Sequence, residues 1–180
     1  MADHPRDETL RTTGTAATLD QGVVPLKELK DYTVAKGDPD VRGWNVYSND
    51  GRKLGEVDDL LVDTAAMKVR YLDVDLDHDL LSAVREATDE ATGHGDRDHV
   101  LIPIGTAQLD IKDDREVVDL LHTLVGSLPA YEHGPLTRDY ETSLRQRFDR
   151  DYRHEPARDR DFYNSDLYND ERFYGPRRRR

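Results

Sequence analysis

Cysteine is absent from the 180 residues, which excludes disulfides, thiolate metal sites and thiol catalysis. Long apolar runs are missing as well, and nothing approaches the roughly 18 residues that a membrane-crossing helix needs. The first 22 residues are polar and rich in Thr and Asp, without the basic start and apolar stretch of a secretory leader. A cytoplasmic protein with no membrane insertion is therefore expected. Signatures of chemistry are equally scarce. There is no HxH or HExxH, no GxSxG, no GxGxxG and no phosphate-loop lysine. On that basis the chain is expected to be no enzyme and to use no cofactor and no metal.

What is plentiful is charge. Charged residues make up 36% of the chain, as much as the apolar ones, so a core drawn from the whole length would be thin. The formal net charge is −12, and residues 41–131 hold nine basic against nineteen acidic side chains. Such a surface repels phosphate backbones, which argues against nucleic acid as a partner of that region.

The most informative stretch runs from Val41 to Asp77. Asn49-Asp50-Gly51 separates two apolar-alternating runs, a hairpin signal, and Gly55 allows a bulge or a close backbone approach. Thr64-Ala65-Ala66 marks a second turn. In the strand that follows, Leu72, Val74 and Leu76 fall on one face and Asp73, Asp75 and Asp77 on the other. The expectation is an antiparallel meander with one wet face. Further strands are expected over His99–Gly105, Ala107–Ile111 and Glu116–Leu120, with a helical turn in Leu121–Leu128.

The pattern Gly43-x-x-Val46-Tyr47, Asp50-Gly51-x-x-Leu54-Gly55-x-Val57-x-Asp59, Val69-x-x-Leu72-x-Val74-x-Leu76 and Val100-Leu101-Ile102-Pro103-Ile104 resembles a PRC-barrel domain. That small β-barrel is known from the cytoplasmic part of the photosynthetic reaction-centre H subunit, from a bacterial ribosome-maturation factor and from stand-alone bacterial proteins. The resemblance covers roughly Leu26 to Tyr131. It implies a mainly β fold: a small antiparallel barrel with short helical turns. It also implies a docking role, because the family's settings are docking settings, and stand-alone members are associated with stress responses. The H subunit's membrane helix has no counterpart here.

Four segments follow: a disordered start (1–22), the barrel (23–131), an amphipathic helix (132–150) and a flexible tail (151–180). In the helix, Leu136, Tyr140, Leu144 and Phe148 recur every four residues as one stripe. Eight of the thirteen aromatics lie beyond residue 132. Two readings of the tail stand side by side. In the plain one it is a solvated extension. In the sharper one Phe162, Tyr163, Tyr168, Phe173 and Tyr174, with Arg177, Arg178, Arg179 and Arg180, form a partner-binding element, since aromatics and arginines anchor interfaces. Its target would be the chain's own barrel, a second copy in a homo-oligomer, or another protein.

Three further groups of residues have the composition of a site. Asp75, Asp77, Asp79 and Glu86 have the spacing of a calcium loop, but Leu80 stands where glycine is needed, and a solvated strand face explains the carboxylates more simply. His94 and His99 share the polar 82–98 loop with Asp96 and Asp98, a weak setting for a metal. Asp58 and Asp59, adjacent on a strand, should point to opposite faces and share nothing. The leading reading is a non-enzymatic interaction or scaffold module. The alternatives are a small-ligand or enzymatic protein with the 82–98 loop over a barrel mouth, and a ribosome-assembly adaptor.

Overall fold

In a computed structural model, the structure describes residues 10–12, 22–87, 98–110, 112–134 and 136–178. Most of the expected disordered start and residues 88–97 of the polar loop, with His94 and Asp96, lie outside the described residues, as do Arg179 and Arg180.

The strands are β1 (Leu10–Thr12), β2 (Val23–Pro25), β3 (Tyr32–Val34), β4 (Asn45–Ser48), β5 (Lys53–Asp63), β6 (Lys68–Leu76), β7 (His99–Pro103), β8 (Ala107–Asp110) and β9 (Arg115–Val118). The helices are α1 (His78–Ala87), α2 (Arg138–Phe148) and α3 (Asp170–Arg178). 3-10 segments occupy Leu26–Glu28, Ile104–Thr106, His122–Ser127, Pro156–Asn164 (kinked at Arg158) and Asp166–Tyr168. β1 and β3 form a separate pair, and the other seven strands form one sheet in the order β7-β6-β5-β4-β9-β8, with β2 also on β5.

The meander is present as expected, with turns at 49–52 and 64–67; Gly51 takes φ +81° in the first and Met67 φ 55° in the second. Two features depart from an antiparallel barrel. β4 pairs with β9 in parallel, so the sheet is mixed. It also does not close: β7 and β8 end it on opposite sides, joined through the Ile104–Thr106 turn. The free side of β7 is covered by the chain's own backbone, for Val100 bridges to Ala130 and Tyr131 N–H donates to His99 C=O at 2.8 Å.

Val46, Leu54, Leu60, Leu72, Val74, Val100, Ile102 and Val118, all fully buried, build the core. The sequence pattern alone left the opposite face of β6 wet. Instead Tyr71 and Asp73 are both buried, because α2, the 131–134 segment and the tail cover that face. Thr137 caps α2 by accepting from Tyr140 N–H at 3.2 Å, and of the predicted stripe Leu144 is buried while Leu136, Tyr140 and Phe148 are half-buried.

Of the two readings of the tail, the solvated extension is overturned. The tail folds back over the sheet as two 3-10 segments and α3. Phe162, Tyr168, Phe173 and Tyr174 are at most 2% exposed. The tail lies tight against Gly105, where an added Cβ would lie 1.9 Å from Asp166 C=O. Only glycine lets the two backbones meet there. On the sheet side Tyr71 meets Tyr168 edge-on, with ring centroids 5.5 Å apart.

Candidate functional site

The polar cluster of greatest interest grows from a bulge. In the β5–β6 ladder Val57 faces Val74 and Asp59 faces Asp73, leaving Asp58 as an extra residue. A bulge breaks the alternation of side chains, so both neighbouring aspartates reach Lys27. Its Nζ donates to Asp58 at 2.8 Å, and its backbone N–H donates to Asp59 Oδ2 at 3.1 Å. The expectation that Asp58 and Asp59 are separated on opposite faces is overturned by this extra residue. Lys27 holds the Asp58 carboxyl below its usual range, whereas burial pushes that of Asp59 up.

Next to them Asp73, buried on β6, stands between two imidazoles. His99 on β7 hydrogen-bonds through Nδ1 to Asp73 Oδ1 at 2.8 Å, and this bond raises the His99 pKa. His133 arrives from the backbone that zips onto β7. Its φ of 53° turns the chain back, its ring lies 4.1 Å from that of His99, and its Nε2 sits 3.2 Å from Asp73 Oδ2. That last contact is not aligned as a hydrogen bond, and Oδ2 receives none. His133 Nε2 is also 4.0 Å from Asp58. One ligand atom each from Asp58, Asp73, His99 and His133 falls within 4.8 Å of the other three.

His99 opens β7, where a strand is expected from the sequence, and its partners are Asp73 of β6 and His133 of the following turn segment. Asp73 leaves the solvated row of carboxylates. Nothing local in the sequence marks His133, since it is distant from every other member of the cluster.

Of the three targets open to the tail aromatics, the structure has them on the chain's own sheet. Phe162, Tyr168, Phe173 and Tyr174 are spent inside the chain, and Tyr163 is half-buried with its hydroxyl donating to Glu141. Arginines do accompany them, but from within the same molecule. Arg138 lies 4.1 Å from the Phe162 ring, Arg145 3.8 Å from Tyr152, and Arg70 4.7 Å from Tyr163. Arg177 and Arg178 end α3.

An open surface lies elsewhere. The hairpin tip fixes the 122–127 turn, because Asn49 N–H donates to Leu120 C=O at 3.1 Å and His122 bonds to Asp50. The Ser48 hydroxyl and His122 together hold the Asp50 carboxyl down at about 2. So pinned, the turn leaves Leu121 46% and Leu124 38% exposed, the two large apolar side chains that stand out among the described residues. Between the turn and α2 runs a groove of about 480 Å³. Leu120, Leu124 and Leu128 line it on one side and Arg147, Arg150 and Arg153 on the other.

No helix among the described residues is long and apolar enough to cross a membrane. The family description that matches is the PRC-barrel domain, over residues 34–125, just over half of the chain. The matched stretch runs from the end of β3 to the 122–127 turn and contains the bulge, Asp73 and His99. It stops short of His133, α2 and the tail. With the meander, its bulge and the β7 strand all in place within that stretch, the chain belongs to the PRC-barrel domain family.

Proposed function

We propose that this protein is a non-enzymatic docking module, in which the PRC-barrel sheet is a platform and the groove beside α2 receives an acidic segment of another protein. The observation that carries this reading is the exposed Leu124, which lines the groove with Leu120 and Leu128 beside three exposed arginines. An apolar floor asks for apolar anchors. The arginine wall, in a chain of net charge −12, asks for carboxylates around them. A nucleic acid would meet the arginines too, but Asp149, Asp151 and Glu155 flank them and leucines offer nothing to phosphates. The covered tail aromatics support the same reading, since they fix α2 and hence one wall of the groove.

Selection from a random peptide library on the full chain tests it. Peptides with bulky apolar residues between Asp or Glu should be enriched, and Leu124→Asp or Arg147→Glu/Arg150→Glu should abolish the enrichment. Absence of enrichment, or enrichment that survives both changes, would overturn the proposal. So would concentration-dependent self-association lost in the same variants, because the groove would then hold a second copy.

A further inference from the structure

The geometry points to a divalent transition-metal site formed by Asp58, Asp73, His99 and His133. The donor set itself favours this class of ion. Two imidazoles with two carboxylates suit zinc-like cations, whereas calcium and magnesium prefer oxygen alone. The four ligand atoms already lie within 4.8 Å of one another, so rotations of the outer side chains suffice to close the shell.

A second observation comes from Asp73. It is the buried member of the set, with a side chain 1% exposed, and its Oδ2 receives no hydrogen bond while facing His133 and Asp58. A buried carboxylate oxygen without a partner is costly, and a cation among these ligands would satisfy it. The backbone also holds the ligands in place from independent directions. Asp58 is thrown out by the bulge, Asp73 and His99 sit on neighbouring strands, and His133 is set by a left-handed turn tied to β7. His133 and Asp58 are 38% and 40% exposed, which leaves an entry path.

The surroundings are acidic: Asp58 and Asp73 act on Asp75, and of the nearby cations Arg42 is shared between Asp40 and Asp59. Lys27 is the built-in competitor, because its ammonium occupies Asp58 at 2.8 Å. The sequence hid this site: its ligands come from three strands and a turn, with none of the short spacings that announce a metal motif.

Titration calorimetry of the full chain with Zn2+, and the visible spectrum with Co2+, test the assignment. One equivalent should bind, Co2+ should show the intense bands of a low-coordinate site, and the melting temperature should rise with metal. His133→Ala, at an exposed turn, and His99→Gln should each weaken binding by at least roughly tenfold. His78→Ala and His122→Ala should not. Lys27→Met should tighten binding, a gain that scattered surface histidines would not show. Melting in chelator shows whether each variant is folded. Affinity in folded His133→Ala and His99→Gln equal to that of the unaltered chain, or no saturable binding at all, would overturn the assignment and leave Asp73 and His99 as an ion pair only.

Discussion

Tyr71, at the centre of the sheet, donates its hydroxyl to Glu141 Oε1 on α2 at 2.8 Å, across seventy residues of sequence. The same oxygen accepts from Tyr163 of the tail, and Arg138 reaches Oε2 at 2.9 Å. One buried carboxylate thus joins sheet, helix and tail. Burial and the neighbouring acidic groups push the Tyr71 hydroxyl pKa well up, so it stays a donor at any ordinary pH. Glu141→Leu should leave two tyrosine hydroxyls without their acceptor and cost at least about 2 kcal/mol in urea unfolding. Tyr71→Phe, which removes one donor, should cost about 1 kcal/mol. Equal stability of all three proteins would show that the carboxylate is not the joint.

Leu144 is the fully buried residue of the α2 stripe. Leu144→Ala should cost about 2–5 kcal/mol, the range for truncating a buried leucine. Changing Leu136, Tyr140 and Leu144 to Ser together should release α2 and expose the tail. A melting curve that does not move would mean that α2 is free of the sheet in solution.

Gly105 offers a way to detach the tail without touching its side chains. With Asp166 C=O only 1.9 Å from where a Cβ would stand, Gly105→Ala forces the two backbones apart. Limited proteolysis should then cut between about residues 156 and 170, while amide exchange in β5 and β6 stays slow. Gly55→Ala should do the reverse. Its Cβ would meet Asp75 C=O at 1.9 Å inside the β5–β6 ladder, so the sheet itself should lose protection. Identical protection patterns for the two variants would refute a separable tail.

The contrast between those two glycines shows what was legible in the sequence. Gly55 sits in a period-two pattern beside an Asx-Gly turn, so its close approach could be read from local spacing. Gly105 follows an ordinary apolar strand, and the backbone that rests on it comes from residue 166. Likewise the hairpin turns and strands of the meander are local events. The fate of Tyr71 and Asp73 depended on what covers the far face. Composition made the tail look solvated, yet six arginine–aromatic contacts and four buried rings supply what its aliphatic content lacks. Strand alternation also failed at Asp58, because one inserted residue resets the faces and the sequence carries no mark of it.

Glu116 makes the clearest prediction of pH dependence. It lies on β9 between Val46 of β4 and Leu109 of β8, fully buried, with neither carboxylate oxygen receiving a hydrogen bond. Burial raises its pKa well above the usual carboxylate range. Tyr174 stands close enough that Glu116 adds to the effect of burial in raising the tyrosine's own pKa. Because the folded state holds this proton more tightly than the unfolded chain does, the group's stabilising contribution is complete below about pH 4 and is lost as the pH rises toward its folded value. Glu116→Gln keeps the shape and removes the titration. The variant should therefore be more stable than the unaltered chain at pH 7, and the difference should shrink steadily toward pH 4.5. Chemical denaturation of both proteins across that range measures it directly. A variant that is less stable at pH 7 would mean that the ionised carboxylate has a compensating cation, and a difference that does not change with pH would mean that Glu116 does not titrate on folding.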